Sequence, residues 1–325
     1  MTASGVAVAV AMGLCPGAAA HAGAAEPLEK VVHEVPRRLP GGGQVRPRLM
    51  LDATRLLLSA GKSLYVRHLR SGKTVKLADV PLPKGTTLFP AGFTVGNGRI
   101  AWWTARTARG GKKRTADFWA VPVGGGTVRR VASAVLPPPS RAGLVTGLAV
   151  TPKGLAWSAG DDGVFVAAGG AVKRVEGTRG RHLLSWPWAG SPGPSDPRQT
   201  PYQSVKNVET GETRRAPGPG SAVACGVTRC IVRADGSFSA RVLGRDGRAQ
   251  GAVDATGMPP QPLLRDRFAV AYALGRALVH DVTTKTAVVV EGVDTGTRYR
   301  TAPGDDLVVF RRGDKYVIVD LAAVK

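Results

Sequence analysis

Apolar and polar positions along this chain fall into a unit that recurs seven times: an apolar strand, a turn, and a second strand running into a polar tail. The second halves are LYVRHLRSGKTVKL (64–77), FWAVPVGGGTVRRV (118–131), VFVAAGGAVKRV (164–175) and YQSVKNVETGETRRA (202–216). They return as FSARVLGRDGRAQGA (238–252), ALVHDVTTKTAVVV (277–290) and KYVIVDLAAVK (315–325). Their starts lie 54, 46, 38, 36, 39 and 38 residues apart. That is close to the roughly 40–45-residue period of four-stranded propeller blades.

Each second strand has an apolar partner just upstream: RLLLSA (55–60), RIAWWT (99–104), GLAWSA (154–159), HLLSW (182–186), RCIVRA (229–234), RFAVAY (267–272) and DLVVF (306–310). These are near-continuous apolar runs of strand length, the pattern of strands packed on both faces. Turn chemistry separates the pairs at Gly61-Lys62, Asp161-Asp162-Gly163, Asp235-Gly236, Gly275-Arg276 and Gly313-Asp314. No long segment carries a 3.6-residue apolar period, so the pattern predicts an all-β, seven-bladed β-propeller with little helix, six or eight blades being the neighbouring counts. The last repeat ends without an outer strand. KVVHEV (30–35), ahead of Pro36, is placed to supply it, close the ring and cover an exposed sheet edge. Residues 187–201 (PWAGSPGPSDPRQTP) read as a loop inside the fourth repeat.

Composition refines this picture. With 43% hydrophobic residues the chain can bury a core, and its 43 Gly and 24 Pro suit a fold built of turns. Residues 1–22 read as a cleaved signal peptide: an apolar stretch from Val6 to Leu14, then small residues and an Ala20-His21-Ala22 cleavage pattern. The stretch is too short to span a bilayer, and Leu14 ahead of Cys15 argues against a lipid anchor. No Lys or Arg precedes the apolar run, which leaves open a true start further upstream. The expectation is an exported, extracytoplasmic protein with no transmembrane segment, a single propeller domain over 23–325, and a monomer.

The net charge of +22, with His neutral, survives removal of 1–22, which holds no Lys, Arg, Asp or Glu. Such an excess predicts attraction to anionic surfaces and polymers. It is equally the composition of a high-GC genome in which Arg replaces Lys broadly.

Cys225 and Cys230 have four residues between them in a predicted hairpin, where directly opposed Cα atoms come within disulfide reach. Zinc lacks further ligands there, since the nearest histidines are His182 and His280. A disulfide also agrees with export into an oxidising compartment.

The stretch 96–132 (GNGRIAWWTARTARGGKKRTADFWAVPVGGGTVRRVA) resembles the repeat of TolB-like and WD40-like propellers, and 151–175 and 305–321 fit the same plan. The resemblance covers most of 50–325, but the Pro-Asp-Gly entry survives only as Pro152-Lys153-Gly154, and no Trp-Asp dipeptide ends a strand. The hairpin at 225–230 is similar to one in secreted actinobacterial propeller proteins of undescribed function. What the resemblance implies is a binding scaffold; it carries over no catalytic residue.

Chemical motifs are sparse. Gly61-Lys62-Ser63 and Gly72-Lys73-Thr74 imitate a phosphate loop, but Leu56 and Arg67 stand where its first Gly belongs and strand follows, so both are turns. GxSxG is absent. His33, His68, His182 and His280 read as strand residues with satisfied hydrogen bonds. The pairs Asp161-Asp162 and Asp305-Asp306 read as turn carboxylates, and Arg312-Gly313-Asp314 as a tight turn. Trp102, Trp103, Trp119 and Trp157 belong to the core. No metal site or cofactor is expected.

Two features remain as ligand-binding candidates. A basic loop carries Arg106, Arg109, Lys112, Lys113 and Arg114; it either clasps an anionic polymer such as a cell-wall polyphosphate or is a solvated hairpin tip. Trp186 and Trp188 share a face of an extended strand, as a sugar-stacking platform or as packing between blades. The leading expectation is a secreted non-enzymatic scaffold for an anionic cell-envelope component or a protein partner, with no specific nucleic-acid binding. The alternative is an extracellular hydrolase or lyase with its site at the mouth of the central channel.

Overall fold

A computed structural model describes residues 31–107, 113–136, 145–193, 202–217, 222–233, 239–254, 262–273, 275–294 and 307–324. It is a seven-bladed β-propeller, all-β among the described residues apart from 3-10 backbone at Val31 and at Gly160–Asp162. Blade 1 holds β2 (Arg46–Asp52), β3 (Arg55–Ala60), β4 (Ser63–His68) and β5 (Thr74–Asp79). Blade 2 holds β6 (Thr86–Gly96), β7 (Arg99–Thr107), β8 (Arg114–Pro122) and β9 (Arg129–Leu136). Blade 3 holds β10 (Gly147–Thr151), β11 (Gly154–Ser158), β12 (Val164–Ala168) and β13 (Ala171–Arg174).

Blade 4 holds β14 (His182–Ser185), β15 (Trp188–Ser191), β16 (Ser204–Asn207) and β17 (Thr213–Arg215). Blade 5 holds β18 (Ala222–Cys225), β19 (Arg229–Val232), β20 (Ser239–Gly244) and β21 (Ala249–Asp254). Blade 6 shows β22 (Phe268–Ala273), β23 (Arg276–Asp281) and β24 (Thr286–Glu291). In blade 7, β25 (Leu307–Arg312) and β26 (Lys315–Asp320) are joined by β1 (Val32–Pro36) from the other end of the chain.

That junction is the expected closure. β1 pairs antiparallel with β26, from Val32 opposite Val319 to Pro36 opposite Lys315. Val35 is buried beside Val45, Met50, Leu58, Leu307 and Ile318, so the closing strand also seals blade 7 onto blade 1. The other apolar clusters fill the seams between neighbours. Leu57, Leu64, Ile100 and Trp102 join blades 1 and 2, while Phe118 and Trp157, ring centroids 4.2 Å apart, join blades 2 and 3. All four tryptophans expected in the core are buried.

Contacts between blades concentrate on β2, β6, β10 and β14, which places these first strands innermost, around the channel. The antiparallel order then puts the turns after first and third strands at one end of the ring. The second-to-third loops and the blade-to-blade links fall at the other. Repeating backbone hydrogen bonds tie each end together. At the first end the residue after a third strand donates its N–H back to the first turn: Leu69 to Thr54, Val123 to Gly98, Val208 to Pro187, Arg245 to Thr228 and Val282 to Arg267. At the opposite end Val80 donates to Lys62, Gly180 to Asp161, Val293 to Gly275 and Arg37 to Asp314.

A side chain at the end of the third strand also caps its own turn. Asn207 accepts from the N–H of Glu209 and Thr210, Asp281 from Thr283 and Thr284, and Asp320 from Ala322 and Ala323. This carboxylate or amide satisfies two backbone donors that a sharp turn otherwise leaves to water.

Blade 4 departs from the expectation. HLLSW contributes the innermost strand β14, and the direct neighbour of β16 is β15, cut from the segment read as loop 187–201. Trp186 and Pro187, joined by a cis peptide, form the turn that folds the chain back, and Pro192 follows the strand. Prolines at both ends of a four-residue strand look like loop punctuation, although they only bound it. Residues 194–201 lie outside the described residues.

Candidate functional site at the channel mouth

The loop candidates divide. Arg106, near the end of β7, donates Nε to Asp117 Oδ2 at 2.8 Å. Asp117 is fully buried and also accepts from Ser133 Oγ at 2.5 Å, so Arg106 is committed to holding β7, β8 and β9 together. Lys113 is exposed and Arg114 half-buried, both free of ion pairs among the described residues. Arg109 and Lys112 lie outside the described residues.

The tryptophan pair is not brought together. Because a tight turn rather than extended strand separates them, Trp186 packs with Val164, Leu183 and Ala189 toward blade 3. Its indole N–H reaches Glu209 Oε1 at 3.2 Å. Trp188 packs with Leu184, Tyr202 and Val205 toward blade 5, under the Arg214 guanidinium 4.4 Å from its ring centre. The two indoles thus face opposite sides of blade 4.

The disulfide is formed. Cys225 and Cys230 are directly opposed on β18 and β19 with Cα atoms 4.0 Å apart, and both are buried.

Innermost strands begin at the loop end of the ring, and their first residues form the channel mouth there. Three residues at or near these starts carry chemistry: Arg46 and Arg48, which sequence reasoning missed, and His182, which it read as a strand residue with satisfied hydrogen bonds. Arg46 opens β2 and is exposed. The register then slips between Pro47 and Leu49, leaving Arg48 as the extra residue of a bulge that re-aims its side chain. Arg48 donates Nε to Ser59 Oγ at 2.7 Å and lies over the Phe93 ring, 5.1 Å from its centre. Burial, and then the like charge of Arg46, pull its guanidinium down to about 10, with the Tyr316 hydroxyl acting the other way. It therefore stays charged at neutral pH. Among the described residues no carboxylate pairs with it.

The third position is His182, first residue of β14, which is buried. Its Nδ1 lies 2.8 Å from Thr146 Oγ1, and Thr146 in turn lies 2.8 Å from Ser158 Oγ, which accepts the Leu183 N–H at 2.9 Å. Asp161, on the 3-10 turn, approaches Nε2 at 3.5 Å. Burial lowers the His182 pKa against the pull of Asp161, so the ring is neutral at neutral pH. A Cβ on Gly193 would lie 2.2 Å from Nε2, so only glycine closes over this ring. The arrangement orders the hydroxyls of Thr146 and Ser158 but encloses the base.

Other sequence signals resolve as turns. Gly61-Lys62, Gly72-Lys73 and Gly313-Asp314 join consecutive strands, while Asp305 and Asp306 lie outside the described residues. No group of three or more metal-ligating side chains, and no helix long and apolar enough to cross a membrane, occurs among the described residues.

No family model matches the sequence, and no curated protein matches it either. Solved structures that resemble it are propeller proteins. Sqt1 from Saccharomyces cerevisiae is 10% identical with a TM-score of 0.42, over 87% of this chain and 86% of that one. A putative TolB from Agrobacterium tumefaciens is 15% identical with a TM-score of 0.35, over 67% and 84%. An oligogalacturonate lyase from Vibrio parahaemolyticus is 11% identical with a TM-score of 0.34, over 84% and 76%. At such distances no residue role passes to this chain.

Proposed function

We propose that this protein is an exported, non-enzymatic binding scaffold whose ligand is an anionic component of the cell envelope. The observation that carries this is the loop end of the ring. Lys62, Lys84, Lys113, Arg114 and Arg179 lie in or beside its loops and links, without an ion-pair partner among the described residues. Cations spread around a channel rim raise the local concentration of a polyanion without needing one fixed contact. Export is supported by the buried disulfide and by the signal-like residues 1–22.

The test is co-sedimentation of residues 23–325 with purified envelope fractions across a salt series. Binding is expected to fall steeply as salt rises, and to weaken when Lys62, Lys113 and Arg179 are replaced together by Met. Salt-independent binding, or none, would overturn the proposal. A second reading, hydrolase or lyase, draws on the Thr146–His182–Asp161 contacts. It ranks lower because His182 is enclosed and Asp161 stands 3.5 Å away. Shortening of an acidic polysaccharide by the wild type and not by His182→Ala would promote it.

A further inference from the structure

We propose that Arg48, with Arg46 and Ser59, forms an oxyanion site at the channel mouth that takes one phosphate or carboxylate group of the ligand. The proposal rests on the anionic-ligand reading above and gives it a point of contact.

The argument begins with how other enclosed arginines are treated. Arg267 spends two nitrogens on the Asp281 carboxylate, at 2.9 and 2.6 Å. Arg245 donates to the carbonyls of Gly226 and Tyr202. Arg229 donates to Gln250 Oε1 and to the Asp266 carbonyl, both at 2.6 Å. Arg48 donates only Nε, to Ser59, and its two terminal nitrogens have no protein partner among the described residues. Arg48 is half-buried, and a partly desolvated guanidinium left without an anion is costly, so a site that keeps one needs a reason.

The geometry supplies it. The bulge at Pro47–Leu49 turns Arg48 out of the strand ladder, and Ser59 Oγ and the Phe93 ring fix its plane. With Nε held, the terminal edge of the guanidinium presents two parallel N–H donors, the fork that matches two oxygens of a carboxylate or phosphate. Arg46, exposed and two residues earlier, adds a second positive charge at the same mouth. That charge opposes Arg48 in the empty site and favours an anion between them, so a ligand relieves the repulsion it finds. Such donors are oriented before binding, which lowers the ordering cost.

The experiment titrates residues 23–325 calorimetrically with inorganic phosphate and, separately, with acetate, at constant ionic strength held by chloride. Arg48→Met, Arg48→Lys and a far-end control, Lys153→Met, are carried in parallel. Wild type and Lys153→Met are expected to bind at least one anion, and which one binds distinguishes phosphate from carboxylate. Arg48→Met should bind it about tenfold more weakly or worse, and Arg48→Lys in between, since Lys keeps the charge but not the fork.

Thermal unfolding gives an independent readout. In chloride alone Arg48→Met should melt at or above the wild-type temperature, because it removes an uncompensated charge. The binding anion should raise the wild-type midpoint and leave the variant unmoved. A variant that melts lower yet still responds to the anion would make Arg48 structural and overturn the assignment. So would wild type that binds neither anion. If envelope fractions still sediment the protein in a salt-dependent way in either of those cases, the rim proposal stands and only the Arg48 site falls.

Discussion

Closure of the ring by β1 can be measured one side chain at a time. Val35 points into the cluster with Val45, Met50, Leu58, Leu307 and Ile318 and is 1% exposed. Its neighbour Glu34 points outward to Lys315, at 2.8 Å, and to Arg312. Val35→Ala removes two buried carbons, about 1.6 kcal/mol of transfer free energy. The unfilled space brings the total to about 2–3 kcal/mol. Glu34→Ala loses partly exposed ion pairs, which contribute about 0–1 kcal/mol. Urea unfolding followed by tryptophan fluorescence and far-ultraviolet circular dichroism reads both, and the two signals should move together. Deleting the chain through Pro36 uncovers the outer edge of β26 and should lower the midpoint further and promote self-association. A Val35→Ala cost no larger than that of Glu34→Ala, or a deletion that leaves midpoint and self-association unchanged, would refute a closing role for β1.

Asp281 should prove a second keystone. Its carboxyl is held below the ordinary value of 3.8: burial opposes its charge, but Arg267 and the Thr283 and Thr284 donors outweigh that. Asp281→Ala takes the carboxylate from the Arg267 guanidinium, which keeps its bond to the Val324 carbonyl, and should cost about 3 kcal/mol in urea unfolding. A depressed carboxyl stabilises above its unfolded pKa, so the wild-type advantage over Asp281→Asn should be full at neutral pH, begin to decline as pH falls below about 4, and be gone only once pH has passed below the depressed folded value. The paired change Cys225→Ser with Cys230→Ser opens a short loop and should cost about 2 kcal/mol, with no change in the unreduced wild type on dilution alone.

How much of this was legible varies strand by strand. Outside blade 4, second and third strands are legible because both faces are covered, which leaves unbroken apolar runs such as Leu56–Leu58 and Ile100–Trp103. The disulfide followed from hairpin geometry, and β1 from a last repeat lacking its outer strand. Innermost strands were harder to see. β2 begins Arg-Pro-Arg and is bulged twice, and β6 slips register three times between Thr86 and Thr94, so neither keeps a period. An exposed channel edge needs no apolar alternation, and the chemistry of Arg46, Arg48 and His182 sits on those strands. The caps at Asn207, Asp281 and Asp320 were visible only as polar residues ending an apolar strand. Their shared role appears once the N–H groups two and three residues on are seen to need an acceptor. Trp186 and Trp188 misled for the opposite reason, because spacing of two means one face only if the backbone stays extended.

The most direct examination of the central claim is diffraction from crystals of residues 23–325 soaked in selenate, a heavier stand-in for an oxyanion, with data collected at the selenium edge. An anomalous peak within hydrogen-bonding distance of the Arg48 terminal nitrogens, absent in Arg48→Met, is the predicted result. Selenate bound elsewhere while the Arg48 edge carries only water would contradict it.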